Sequence, residues 1–159
     1  MLFKILSIQH GWFEVDFNRQ FILVNSDYLG CDAPALLLEA IASFLEKKTD
    51  VQWLCFQGEP GVYIVRIECE DNRLLFEVYD TEEEAWNLEY QGETLSQYIT
   101  KCLYRTEADR KEAAESIYSE FELYENGNGR KRYEYHWGSF PQQAFERLKE
   151  LLAGESAGT

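Results

Sequence analysis

Between Val51 and Tyr79 three strand-like runs, the middle one with two-sided alternation, are separated by two short turn signals. Val51–Gln57 gives way to Gly58-Glu59-Pro60-Gly61, and Val62–Glu70 gives way to Asp71-Asn72 before Leu74–Tyr79 returns. Connections this short join antiparallel neighbours, because a parallel pair needs a long crossover. In the central strand Tyr63, Val65, Ile67 and Cys69 fall on one face, with Arg66 and Glu68 on the other. At least one side of such a sheet must be covered, and the rest of the chain has to supply the cover.

Upstream, Phe13, Val15 and Phe17 share one face of the alternating run Trp12–Phe17, and Phe21–Val24 is a second apolar run. Asn18-Arg19 between them predicts a hairpin turn, although the favoured Asn-Gly or Asp-Gly is missing. Leu2–Ile8 reads as an additional strand. Asp32 predicts an N-cap and Pro34 a first helical turn. Leu37, Ala40, Ile41, Phe44 and Leu45 then form an apolar stripe that ends at Lys47 and Lys48, where the helix dipole favours cations.

Downstream, Trp86, Leu88 and Tyr90 alternate and predict one more short strand. Thr94-Leu95-Ser96-Gln97 fits a capping box. Leu95, Tyr98, Ile99, Cys102 and Leu103 follow at helical spacing, continuing through Ala113, Ile117 and Phe121 after a break near Thr106. Asn126-Gly127-Asn128-Gly129 reads as a loop and Tyr133–Trp137 as extended chain. Ser139-Phe140-Pro141-Gln142 is a second capping box, ahead of a helix marked by Phe145, Leu148, Leu151 and Leu152. The expectation is one α+β domain over residues 1–153, a mainly antiparallel sheet of about five to seven strands packed by about three helices. Residues 154–159 are small and polar and read as a frayed tail.

Charge narrows the function classes. Against 29 acidic side chains stand 15 basic ones, a net charge of −14. Nucleic-acid phosphates and anionic membrane surfaces would be repelled, so neither is expected as a partner. No apolar run approaches the ~20 residues of a membrane helix. His10, Glu14 and Asp16 arrive before the apolar start could complete a signal peptide, which predicts a cytoplasmic protein. Cys31, Cys55, Cys69 and Cys102 form no CxxC pair and no zinc spacing, and read as small buried hydrophobes in a reducing compartment.

Catalytic signals are sparse. His10 and His136, the two histidines, belong to no ligand pair at helical spacing and no nucleophile motif. Glu68-x-Glu70-Asp71 lacks the glycine and distal glutamate of a calcium loop, and a bare carboxylate run such as Asp80–Glu84 seldom builds a cation site without backbone ligands. Gly127–Arg132 lacks the spacing of a phosphate loop. No enzyme, cofactor or metal is expected. The alternatives are a structural or regulatory subunit, which predicts a large apolar patch, and a small enzyme or ligand-binding domain using His10 or His136 with carboxylates.

The excess charge is concentrated. Residues 1–58 carry 7 acidic and 4 basic groups, residues 59–125 carry 18 and 6, and residues 126–159 carry 4 and 5. Clustered acid steers a basic protein towards contact, and aromatics within a charged rim are favoured anchors. The residues this singles out for partner binding are Asp71, Asp80, Glu82, Glu83, Glu84 and Trp86, followed by Glu112 and Glu115.

Two segments carry a family resemblance: Trp53 with Glu59-Pro60-Gly61 and Tyr63, and Trp137 with Phe140-Pro141, Phe145 and Leu148. With the early hairpin and the Pro34 helix, the layout resembles small bacterial immunity-type proteins of polymorphic toxin and contact-dependent inhibition systems. That resemblance implies a cytosolic, non-enzymatic protein that binds a cognate toxin domain, often a basic nuclease, and blocks its active site or substrate groove. It brings no catalytic residues.

Overall fold

The computed structural model describes residues 2–25, 32–58, 61–84 and 87–157. Strands β1 (Phe3–Gln9), β2 (Trp12–Phe17) and β3 (Gln20–Asn25) form a three-stranded antiparallel meander. Both of its turns are two residues long with left-handed φ throughout: +50° and +82° at His10-Gly11, +51° and +79° at Asn18-Arg19. That is the twist a tight hairpin needs. Asn18-Arg19 achieves it without glycine because Asp16 accepts the Arg19 amide and the Asn18 side chain donates to Thr106 Oγ1 at 2.8 Å. Phe3, Ile5, Ile8, Phe13, Val15, Phe17, Ile22 and Val24 fill the inner face.

Helix α1 (Ala33–Leu45) starts as its sequence dictates. Asp32 Oδ1 accepts the Ala35 amide at 3.3 Å, Pro34 occupies the first turn, and Lys47 leaves the helix with φ +58°. Strands β4 (Val51–Gln57), β5 (Val62–Glu70), β6 (Arg73–Thr81) and β7 (Ile99–Asp109) make a second antiparallel sheet in that order. The Asp71-Asn72 turn is again left-handed, with φ of +48° and +64°. Gly58 N–H donates to the Gly61 carbonyl at 2.8 Å; Glu59 and Pro60 between them lie outside the described residues. Helices α2 (Arg110–Glu122), α3 (Gly127–His136) and α4 (Gln142–Ala157) complete the chain. The α+β class is as expected, with two sheets where one was foreseen and, among the described residues, four α-helices in place of about three.

The inner faces of both sheets and the apolar faces of α1, α2 and α4 share one core, crossed by contacts such as Phe17–Phe76 and Phe3–Phe121. A smaller cluster of Cys55, Val62, Ile64, Leu88 and Leu95 lies on the opposite face of the four-stranded sheet.

Several expectations are corrected. Residues 99–109 are strand, not helix: Tyr104, Thr106 and Ala108 alternate inward while Cys102 and Leu103 are exposed, and the segment pairs the edge of β6 that would otherwise stay open. The capping box at Thr94 opens only a 3₁₀ turn over Glu93–Tyr98, with the Thr94 hydroxyl directed to Glu89. Residues 87–91 form no strand, only an isolated bridge from Gln91 to Leu54; Ala85 and Trp86 lie outside the described residues. The Asn126–Gly129 loop and the extended Tyr133–Trp137 are instead the two ends of α3, with Asn126 and Trp137 as its caps, because Tyr133 and Trp137 are an i,i+4 pair facing the core while Tyr135 between them is exposed. Finally, α4 runs through Ala157, so 154–157 is helical where fraying was expected. Cys55 is buried and Cys69 half-buried, but Cys102 is exposed; Cys31 lies outside the described residues.

Candidate functional site: the outer face of the four-stranded sheet

The strand register sets charged residues side by side. Trp53 faces Arg66, Arg66 faces Glu77, and Glu77 faces Arg105, one residue from each strand in a row across the sheet. Arg66 donates from Nη1 to Glu77 Oε1 at 3.0 Å and to Glu68 Oε2 at 2.8 Å, and its guanidinium stands 5.6 Å from the Trp53 ring centre. Arg105 approaches the other Glu77 oxygen at 3.8 Å. Glu77 is the centre of the row and is only 8% exposed. Burial works against ionised Arg66, but its two carboxylate partners outweigh that and hold it above its ordinary range. The neighbouring Tyr79 phenol is pushed up by burial and by Glu77. A charge-assisted network of this kind fixes side-chain geometry across four strands.

The end of the sheet at the β5–β6 turn is strongly acidic. Two open depressions of about 310 and 330 Å³ share Arg73 and Glu107, which pair at 3.1 Å. Around them stand six carboxylates (Glu68, Glu70, Asp71, Glu107, Asp109, Glu112) against the guanidiniums of Arg73 and Arg105. Asp71, from the β5–β6 turn, lines one depression and Glu112, from the first turn of α2, lines the other, so two residues 41 positions apart flank the same Arg73–Glu107 pair. Glu115 follows on α2, exposed, 4.0 Å from Lys111.

The remaining acidic residues lie elsewhere. Asp80 is the last residue but one of β6, nine residues or roughly 30 Å along an extended strand from Asp71, and Glu82, Glu83 and Glu84 follow that end. Asp80, Glu82 and Glu84 are exposed; Glu83 is half-buried and accepts from Asn87 Nδ2 at 2.8 Å. Trp86 lies outside the described residues. Among the described residues no group of three His, Cys, Asp or Glu is arranged to hold a metal. The aromatics on the face itself are Trp53 and Tyr79, their ring centres 6.4 Å apart; sequence reasoning used Trp53 only for family resemblance, and its signal was the charged Arg66 and Glu68 on the outward positions of the partner strand.

His10 and His136 meet, although 126 positions separate them. Their rings are 5.1 Å apart and perpendicular, His136 Nδ1 accepts the His10 amide at 3.2 Å, and the His136 carbonyl accepts the Gly11 amide at 2.6 Å. Among the described residues neither ring lies within ion-pair distance of a carboxylate, and the pair ties the first hairpin to α3. Exposed large apolar side chains are scattered over separate elements: Leu6 and Phe21 on the three-stranded sheet, Leu103 on β7, Leu123 after α2 and Tyr135 on α3. Among the described residues no helix is long and apolar enough to cross a membrane. Compared with known protein families, curated proteins and solved structures, the chain has no match.

Proposed function

We propose that the chain is a non-enzymatic acidic binding protein of immunity type, which neutralises a basic toxin domain by direct contact. The observation that carries this reading is the pair of acidic depressions on either side of Arg73 and Glu107, one lined by Asp71 and the other by Glu112, beside a charged row that ends on Trp53. Six carboxylates against two guanidiniums leave a net negative field at one end of the sheet. Such a field raises the association rate of a cationic partner, and the sheet beneath it holds the side chains in place. A nuclease-type toxin, whose own groove is basic to receive phosphates, is the partner class this charge suits. Blocking that groove needs no chemistry from the binder.

The test starts with capture of the tagged protein's partner from lysate of its own source, elution by salt gradient, and purification of what elutes. A basic toxin domain whose activity the chain abolishes is expected. Asp71→Lys with Glu112→Lys should weaken that complex at least tenfold and flatten its salt dependence. Glu82→Lys with Glu84→Lys, at the far end of β6, should have a smaller effect. If both pairs of reversals leave affinity and salt dependence untouched, the acidic surface is not the binding site and the reading fails.

A further inference from the structure

The chain treats its sheet edges unequally. On β4 the outer side is taken: Cys55 N–H donates to the Tyr90 carbonyl at 2.8 Å and Gly92 N–H to the Trp53 carbonyl at 3.0 Å. On β1 the outer side is taken by α2, through Ser116 to Phe3 and Glu120 to Ile5. On β7, from Leu103 to Ala108, the backbone among the described residues bonds only β6, apart from a local contact of the Cys102 thiol with the Tyr104 carbonyl at 3.5 Å. An open edge is a template for another strand. Register shifts blunt the first part of β7, opposite Val78–Thr81, but from Tyr104 to Asp109 its pairing is regular.

We propose that this regular half of β7 pairs antiparallel with β7 of a second copy, Thr106 lying opposite Thr106. Facing residues project to the same side of a sheet, so a two-fold axis through it must set one residue opposite its own copy. Of the available centres, Arg105 would oppose two guanidiniums, Glu107 would oppose two carboxylates at the axis itself, and Ala108 would oppose Glu107 to Asp109. A Tyr104 centre reaches an opposite-charge pair, Lys101 with Glu107, only across the disturbed segment. With Thr106 at the centre, Arg105 faces Glu107 in both directions. The alternating row Arg66–Glu77–Arg105 then continues into a carboxylate on the next strand, without a break in sign. The result is one eight-stranded sheet with two acidic ends.

The interface is small and each copy carries a charge of −14, so the dimer is weak and salt favours it by screening the net repulsion. Sedimentation velocity in reducing buffer, up to about 1 mM protein so that an interface below ~1,200 Å² is still populated, reads it directly. Arg105→Glu and Glu107→Arg change side chains that are 64% and 60% exposed, so both variants should fold, as checked by circular dichroism. Each alone should lose self-association about tenfold or more, and an equimolar mixture should recover it, because the unlike copies restore both charge pairs. Amide exchange at residues 104–108 should slow as wild-type concentration rises. A wild-type chain that stays monomeric throughout overturns the proposal. So does a dimer indifferent to both variants, or a mixture no better than either alone. None of these readouts involves the toxin partner, so they stand or fall separately from the proposed function.

Discussion

The Glu120 carboxylate on α2 accepts the backbone amide of Ile5 on β1 at 2.8 Å, across 115 positions of sequence. One turn earlier on the same helix, the Ser116 hydroxyl accepts the Phe3 amide and donates to the Phe3 carbonyl, both at 3.2 Å. Side chains four residues apart lie on one helix face, so this pair serves β1 as a surrogate neighbouring strand.

Replacing Glu120 with Ala should therefore cost about 2 kcal/mol, the loss of a hydrogen bond to a charged acceptor with its partly buried donor left open. Glu120→Gln keeps an acceptor oxygen and should cost clearly less. Urea unfolding checks this: the midpoint should fall in the order wild type, Gln, Ala with an unchanged slope, and an Ala variant as stable as wild type would show that α2 does not support the edge.

Glu46, just after α1, predicts an acid-side stability effect. Hydrogen bonds first from Arg147 on α4 and then from Lys48 hold its carboxyl at about 2, against an ordinary value of 4.5. A folded-state value below the unfolded one gives stability that is fully present above pH 4.5 and is lost as pH falls towards 2. Wild type should thus be more stable than Glu46→Gln at pH 7, and the difference should shrink through the window from 4.5 to 2. Paired denaturation curves at pH 7, 4 and 2.5 measure it; a difference independent of pH would assign the effect to packing instead of ionisation.

Gly129 sits in the first turn of α3, where a Cβ would stand 2.2 Å from the Leu123 carbonyl oxygen. Alanine is the better helix former by about 1 kcal/mol. Here the steric cost wins, because the obstructing atom is backbone and cannot rotate away, and overpacking costs about 1–3 kcal/mol. Gly129→Ala should lower the thermal midpoint, whereas a raised midpoint would mean that α2 and α3 are not packed this closely.

The parts legible in the sequence are those fixed by neighbours in the chain. The β2–β3 and β5–β6 hairpins and the capped start of α1 follow from alternation, turn residues and one aspartate, all within a few positions. β7 was hidden because Leu95, Tyr98, Ile99, Cys102 and Leu103 satisfy a helical period by coincidence, while its true inward row, Tyr104, Thr106 and Ala108, is barely apolar. α3 was hidden by glycines that read as a loop and by aromatics at alternate positions. Burial of Tyr133 against Phe13 and Phe140, contacts from distant segments, decides it. The candidate site divides the same way: exposure of Asp71 and Glu112 was foreseeable, but their placement on either side of Arg73 and Glu107 depends on a strand-to-helix passage read wrongly from local spacing.

The clasp between His136 and the His10-Gly11 turn, with Ser116 and Glu120 on β1, makes the order of synthesis matter. This hairpin leaves the ribosome before α2 and α3 and is among the last pieces of the fold to be locked. At synthesis rates of about 5–20 residues per second, it waits several seconds for α2 and α3, its apolar inner face open to whatever is near. The fold thus asks for protection of its N-terminal meander during translation, at the stage when the finished half of the chain looks most like an unguarded β-sheet.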